Sequence, residues 1–485
     1  MAAPRNGACG ITRRGFFLGA ASGLAAGASA IAIPTRFGWR IPGLNVPLFT
    51  GKPAEVTRPE VAMPGPYPGR VVEVRDPNAV SDDNVISPEV VDHMIDRGMG
   101  ELAGLEPRDV KAAWGKFFQK DDVVGVKVNP VGRKYRPGHW AHRSHVIQSI
   151  SSYPVIVKIV RCLREVGIPA GNIILFERYG DEFIEAGYAD LVERELPKGV
   201  RWYCSSAGYS NDQLDVNGFD RPRDQYPADL GKHVAGYDPD VFTSMGFCLP
   251  EHSPRDDRRF RSHLSAVVTR LCSKFVAIPV LKDHRSAGIT MALKNMSHGM
   301  NNNVARSHLA GIAHGFGDLN QQVNGPNQCN TFIPQAAAHR VLREKATLHI
   351  GDGLIGVYEG GPGPWNRTWG TWRHKGLFFG TDPVAMDHVA WDIIDKKRAE
   401  EGWPPVGRMG WMNQTPSVTV NTALSALAAA GPMEASVLNH ASRHFQGGRA
   451  SEAFNLRTPE HIILAGKLGL GLFEQNSIMH QVVNV

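Results

Sequence analysis

The chain has 485 residues, of which 42% are hydrophobic and 21% charged, so a disordered, collagen-like or multi-span membrane protein is excluded. Lys+Arg 53 against Asp+Glu 47 leaves a formal charge of only +6, and Arg5, Arg13 and Arg14 carry part of that excess within the first 32 residues. Nucleic-acid binding needs a concentrated basic face, and the densest basic group (Arg255, Arg258, Arg259, Arg261) is diluted by Asp256 and Asp257, so no nucleic-acid partner is expected.

Residues 12–18 read Thr-Arg-Arg-Gly-Phe-Phe-Leu and lead into a Gly/Ala-rich stretch that ends near Ala32. A positive front, a short apolar middle and small residues at Ala28-Ser29-Ala30 or Ala30-Ile31-Ala32 make a secretory leader. The paired arginines before Phe-Phe-Leu resemble a twin-arginine leader. The expectation is a signal peptide over 1–32, read by the twin-arginine translocase, and a periplasmic or extracellular mature protein without a membrane span. Whether the leader is cleaved or kept as an anchor stays open. Residues 33–70, rich in Pro and Gly without periodicity, read as a linker or arm.

Beyond the leader the cysteines are Cys162, Cys204, Cys248, Cys272 and Cys329, with no C-x-x-C pair. Iron–sulfur, zinc-ribbon and haem c attachment patterns are therefore missing from the sequence. An odd count in an oxidising compartment allows at most two disulfides.

The first strong strand is 123–128, a β-branched run closed by Asn129-Pro130. A helix follows at 154–166, where Ile156, Ile159, Val160 and Leu163 fall at i, i+3, i+4 and i+7. A second buried strand at 172–176 completes a βαβ crossover, which makes the sheet at least partly parallel. A helix at 182–195 and a strand at 200–204 continue the alternation. Residues 205–262 turn polar and irregular and read as an insertion. Then come a strand at 275–281, helices at 289–300 and 335–345, and strands at 347–350 and 377–379. After Asp382-Pro383 a helix carries Met386, Val389, Ala390, Ile393 and Ile394 on one stripe. The fold class is α/β, a mostly parallel sheet flanked by helices. One α/β body is expected over 71–475, with a C-terminal tail at 476–485.

Open parallel sheets collect ligands beyond the carboxyl ends of their strands. Polar groups stand at four such ends: Lys127 and Asn129, then Lys282-Asp283-His284, then Asp352, then Asp382. The densest stretch is 282–314. If 289–300 is helical, Thr290, Lys294 and His298 stack at i, i+4 and i+8 with Asn295 beside them and His284, His308 and His314 near in sequence. Lysines orient an anion, and imidazoles near neutral pH transfer protons. Of the triplet His139, His142 and His145, the last is nearest the 154–166 helix. The Gly-rich run 351–363 lacks both nucleotide-binding glycine patterns and reads as a structural loop. No G-x-S-x-G elbow supports a serine hydrolase.

The ordered motifs resemble a known family. They are Val124-Gly125-Val126-Lys127-Val128-Asn129-Pro130, His145, Gly171-Asn172-Ile173-Ile174-Leu175, Ile278-Pro279-Val280-Leu281-Lys282-Asp283-His284 and Ile289-Thr290-Met291-Ala292-Leu293-Lys294-Asn295, followed by Ile350-Gly351-Asp352-Gly353, Glu359-Gly360-Gly361-Pro362-Gly363 and Gly380-Thr381-Asp382-Pro383-Val384-Ala385-Met386-Asp387. Together, over roughly residues 120–475, they resemble the bacterial and archaeal family called domain of unknown function 362. The resemblance implies no agreed reaction. Some members carry ferredoxin-like cysteine clusters, which this chain lacks. The family's recurrent polar positions map onto Lys127, Asn129, His145, Lys282, His284, Lys294, Asn295, Asp352, Asp382 and Asp387.

The leading expectation is an exported enzyme acting on a small anionic or polar substrate. Lys282, His284, Lys294 and His298 are its candidate catalytic residues, and Lys127, Asn129, His145 and Asn295 its candidate substrate-binding residues. Asp352, Asp382 and His308 are candidate ligands of a divalent metal. Two other readings stay open: a binding module that handles a metal or cofactor or matures a secreted redox partner, and a structural exported protein using Trp365–Trp372 and the 205–262 insertion as a contact surface.

Overall fold

A computed structural model of the chain describes residues 63–139, 141–209, 214–219, 222–244, 261–284, 287–307, 328–366, 368–406 and 459–485. The leader, most of the arm, His308 and His314 lie outside the described residues, as does part of the insertion.

In chain order the elements begin with β1 (Arg70–Arg75), α1 (Pro88–Ala103), α2 (Val110–Gly115), β2 (Val124–Lys127), α3 (Tyr153–Val166) and β3 (Ile173–Tyr179). Next come α4 (Gly180–Glu185), α5 (Tyr188–Arg194), β4 (Arg201–Ser206), β5 (Tyr237–Ser244), β6 (Arg261–Ser265), β7 (Lys274–Ala277), β8 (Val280–His284) and β9 (Gly288–Thr290). The series closes with α6 (Ala292–Ser297), α7 (Gln328–Ala337), α8 (Arg340–Lys345), β10 (Ala346–Glu359), β11 (Gly370–Trp372), β12 (Gly376–Gly380), α9 (Pro383–Glu400), α10 (Glu460–Lys467) and β13 (Met479–Asn484).

One 11-stranded sheet runs in the order β13-β1-β12-β10-β7-β2-β3-β4, with β8 and β11 beside β10 and β9 beside β8. The pairs β10·β7, β7·β2, β2·β3 and β3·β4 are parallel, while β12 runs antiparallel to both of its neighbours. The fold is α/β with a mostly parallel sheet. Side-chain alternation splits the core in two. Val126, Leu175, Val276 and Ile350 pack with Met94 and Ile95 of α1 and with Ile156, Ile159 and Leu163 of α3. On the other face Phe176, Phe275 and Ala277 meet Leu293 and Met296 of α6, Ile333 of α7 and Ile462 of α10. Burial on both faces is what a continuous β-branched run such as Val123–Val128 requires.

The helix over 154–166 is observed as α3, with Pro154 in its first turn and Gly167, at φ 106, closing it in the left-handed region that glycine tolerates. Other boundaries differ, for local reasons. The expected helix 182–195 is two, α4 and α5, separated at Gly187 with φ 79. The expected strand 275–281 divides at Ile278-Pro279 into β7 and β8, because proline cannot donate to a ladder. The expected helix 289–300 starts only at Ala292: Thr290 instead pairs with Lys282 in a β8–β9 hairpin. The expected helix 335–345 breaks at His339, whose side chain caps α8.

The Gly-rich run expected to be a loop is largely strand, since β10 continues to Glu359. Its glycines serve close packing. A Cβ on Gly351 would stand 2.3 Å from Met291 Cε, and one on Gly356 would stand 2.5 Å from the Trp372 ring. The stretch 476–485, set apart as a tail, supplies β13 at the sheet's outer edge. There β13 pairs in parallel with β1, and His480 Nε2 lies 2.7 Å from Oε2 of the buried Glu73. The other Glu73 oxygen takes His374 at 2.7 Å and Arg75 at 2.5 Å. Burial alone raises the Glu73 pKa; the bonds to His374, His480 and Arg75 outweigh it and hold the carboxyl well below the usual range.

Candidate functional site

Alternation along β2 sends Val124 and Val126 toward α1 and α3, and Lys127 to the opposite face, where it is fully buried. Its ammonium donates to the Val128 carbonyl at 2.7 Å and to Asn295 Oδ1 at 3.2 Å, and forms an ion pair with Glu177. Glu177 sits near the end of β3, and Asn295 lies on α6. The lysine is thus the junction between two parallel strands and the helix that covers them. A Cβ on Gly299 would stand 2.8 Å from Lys127 Nζ, so the residue there must be small. Burial lowers the Lys127 pKa and raises that of Glu177, and their mutual attraction opposes both shifts.

Two residues on, Asn129 turns the chain: its Oδ1 accepts the Val131 N–H at 3.0 Å and the Lys282 ammonium at 3.3 Å. Lys282 also donates to the Val131 carbonyl. Burial pulls its pKa down to about 7, against the fields of Glu182, Glu177 and Asp283. At the carboxyl end of β2, Lys127 thus bonds Asn295 of α6 and Asn129 bonds Lys282 of β8, two separate polar pairs at the rim where the strand order predicts a ligand. Among the described residues the buried Thr290 hydroxyl, opposite Lys282 in the hairpin, has no hydrogen-bond partner, nor has the Asn295 side-chain nitrogen.

Lys294 is unlike the other two lysines. Only 6% of it is exposed, and among the described residues Nζ has no hydrogen-bond partner. Burial lowers its pKa to about 8, with the Cys329 sulfur opposing and Arg178 reinforcing the shift. One helical turn on, at i+4, stands His298, whose N–H bonds the Lys294 carbonyl at 3.0 Å. His298 Nε2 lies 2.6 Å from Ser307 Oγ and 4.0 Å from Cys329 Sγ, and its ring meets Phe332 edge-on at 4.8 Å. Arg178 ties this group to β3 by donating to the His298 carbonyl.

The remaining candidates are placed otherwise than expected. His284 Nδ1 accepts the Ala287 N–H at 3.1 Å and so supports the β8–β9 turn. His145 is exposed on the α1/α3 side, in a cleft of about 750 Å³ whose lining includes neither Lys127, Lys282 nor Lys294. The metal role expected of Asp352 and Asp382 is corrected by their hydrogen bonds. Asp382 caps α9 with Oδ1 on the Val384 and Ala385 amides, and Oδ2 takes the amides of Gly69 and Leu472, so each oxygen already accepts two N–H groups. Asp352 accepts from Ser152 and Leu354. Both carboxylates bind chain segments together. Asp387 does the same, accepting from the Ala292 and Leu293 amides at the start of α6. The third expected ligand, His308, lies outside the described residues. Among the described residues no three His, Cys, Asp or Glu side chains are grouped as a metal would need.

Sequence reasoning missed Glu177, Arg178, Ser307 and Cys329. For the first two a signal existed: they follow the predicted strand 172–176 at once, the same strand-end position that singled out Lys127. Ser307 and Cys329 carry no such signal: Ser307 returns to His298 from the turn that follows α6, and Cys329 reaches it from α7, which packs on α6.

The central part of this body can be compared with known families. Residues 260–392 match the family model described as domain of unknown function (DUF362). The match agrees with the motif resemblance and contains Lys282, Lys294, Asn295, His298, Asp352 and Asp382, while Lys127, Asn129, Glu177 and Arg178 precede it. No curated protein and no solved structure matches the chain.

Proposed function

We propose that the protein is an exported enzyme that binds a small anionic or polar substrate at the carboxyl rim of the sheet and works on it by Lys/His acid–base chemistry. The observation that carries this reading is the Lys294 amine: buried, without a hydrogen-bond partner among the described residues, and one turn from an imidazole. Leaving such a group unsatisfied costs about 1–3 kcal/mol, which a fold without use for it has every reason to avoid. The unpartnered donors of Thr290 and Asn295 favour an acceptor-rich ligand, hence an anion or a carbonyl compound. Lys127 and Lys282 hold the rim in shape through their own bonds, and His298, paired with Ser307, is the proton carrier. The metal-dependent version loses its support because Asp352 and Asp382 are committed to backbone amides.

Thermal unfolding in inorganic phosphate, acetate and oxalate tests the substrate class. A ligand at one hundred times its Kd stabilises by about 2.7 kcal/mol. At least one of these anions is expected to raise the Tm of the native protein and to leave Lys294→Met unmoved. No shift with any of them, or an equal shift in the variant, contradicts the reading.

Export rests on Arg13-Arg14 ahead of Phe16-Phe17-Leu18. Among the described residues no helix is long and apolar enough to cross a membrane. Cells producing an Arg13→Lys/Arg14→Lys variant are expected to retain the protein in the cytoplasm. Unchanged release into the periplasmic or culture fraction speaks against the twin-arginine route.

A further inference from the structure

We infer that Lys294 is a carbonyl-capturing amine, and that the substrate of this site is a small aldehyde or ketone carrying an acidic group, bound through an imine to Lys294 Nζ. The inference rests on the anion-handling reading above and adds to it the chemistry of attachment. Three observations converge on it.

The first is availability of the lone pair. An amine attacks a carbonyl only when it is neutral and its lone pair is free. Lys127 is held as an ion pair with Glu177, and Lys282 donates to Asn129 Oδ1 and the Val131 carbonyl, so attack by either amine would first break these bonds. Among the described residues Lys294 is the lysine whose buried amine has no partner at all. Desolvation in an apolar pocket is how lysines are made nucleophilic near neutral pH.

The second is the neighbouring acid–base group. Helical spacing places His298 one turn from Lys294, and the short contact between His298 Nε2 and Ser307 Oγ gives the ring a fixed orientation. The third is the substrate's other end. The Asn295 side-chain nitrogen, which has no partner among the described residues, and Arg178, whose charge acts on Lys294, supply donors for a carboxylate.

The step balances within the protein. The nitrogen lone pair forms the N–C bond as the carbonyl π pair moves onto oxygen, and one proton passes from nitrogen to that oxygen. The C–O bond of the carbinolamine then breaks with a proton delivered by His298, water leaves, and the second nitrogen proton returns to the imidazole as the C=N bond forms. No oxidant or reductant takes part.

Trapping tests this directly. The full chain is incubated with glyoxylate and cyanoborohydride, and the resulting carboxymethyl groups are located by peptide mass mapping. Labelling of Lys294 is expected to run at least tenfold faster than that of exposed lysines such as Lys232, to be slowed by acetate in competition, and to be lost in Lys294→Met. His298→Ala is expected to slow it while leaving the Tm shift with acetate in place. Uniform labelling over surface lysines, or an unlabelled Lys294, overturns the imine. If that occurs while simple anions still raise the Tm of the native protein and not of Lys294→Met, the anion-handling reading stands and the imine alone falls.

Discussion

Lys127→Met is expected to destabilise the protein by about 3–5 kcal/mol, because it leaves the Glu177 carboxylate buried without its counter-charge. Both partners are at most 5% exposed, and Lys127 also satisfies the Val128 carbonyl and Asn295 Oδ1. Replacing the pair by Lys127→Met/Glu177→Leu is expected to restore much of that loss, since two ions removed together leave no orphan. Denaturant unfolding of the two single variants and the double variant measures the coupling. A loss under 1 kcal/mol in Lys127→Met contradicts the assignment of Lys127 as the junction of β2, β3 and α6.

Lys294→Met is expected to do the reverse. It removes a buried amine that bonds to nothing and fills the same space with an apolar chain, so stability rises by about 1–3 kcal/mol near pH 7 while anion binding disappears. The pH dependence carries the sign. With a folded value of about 8 and an unfolded one near 10.5, the unfolded chain binds more protons across that interval, and this group makes stability rise with pH there. Below pH 8 the native protein bears the full cost of the buried ammonium. The variant lacks the term, so its advantage over the native protein shrinks toward pH 10.5. Unfolding midpoints at pH 6.5 and 9.5 check this. A destabilised variant with an unchanged pH profile contradicts it. Gain of stability together with loss of binding is the pattern expected where a site is maintained at the expense of the fold.

The contrast between these lysines explains how much of the site was legible in the sequence. Strand ends announce themselves: Val124–Lys127 and Asn172–Phe176 are β-branched or apolar runs that stop at polar residues, and the parallel order puts those stops on one rim. Lys127, Asn129, Lys282 and Asn295 are found there, joined by hydrogen bonds. The residue types at 290, 294 and 298 suggested one helical face, yet only 294 and 298 share it, because Thr290 is drawn into the hairpin with Lys282. A three-residue strand beside a six-residue helix is shorter than the windows over which periodicity speaks.

The carboxylates were misread for a different reason. An Asp before Pro383 at a helix start is an N-cap signature, and Asp382 uses its oxygens accordingly. Nothing in the sequence shows that the amides of Gly69 and Leu472, far off in both directions, come to the same carboxylate. Likewise the first described strand, β1, and the helix α1 lie in a stretch the alternating pattern passed over, and β13 is a strand because the β1 backbone from Arg70 to Arg75 offers it a ladder at the sheet edge. His145 illustrates the converse. Its place before a predicted helix was right, but helix α3 packs on the face of the sheet opposite to Lys127.

The ionisation of Lys294 is the most direct test of the central claim, that an unpartnered amine stands in the rim site. Nuclear magnetic resonance of lysine side chains labelled with ¹³C at the ε position, assigned by its loss in Lys294→Met, follows that titration in the intact protein. The expected result is a midpoint near 8 that moves upward when acetate or phosphate occupies the site. A midpoint near the ordinary 10.5, unmoved by either anion, contradicts the claim.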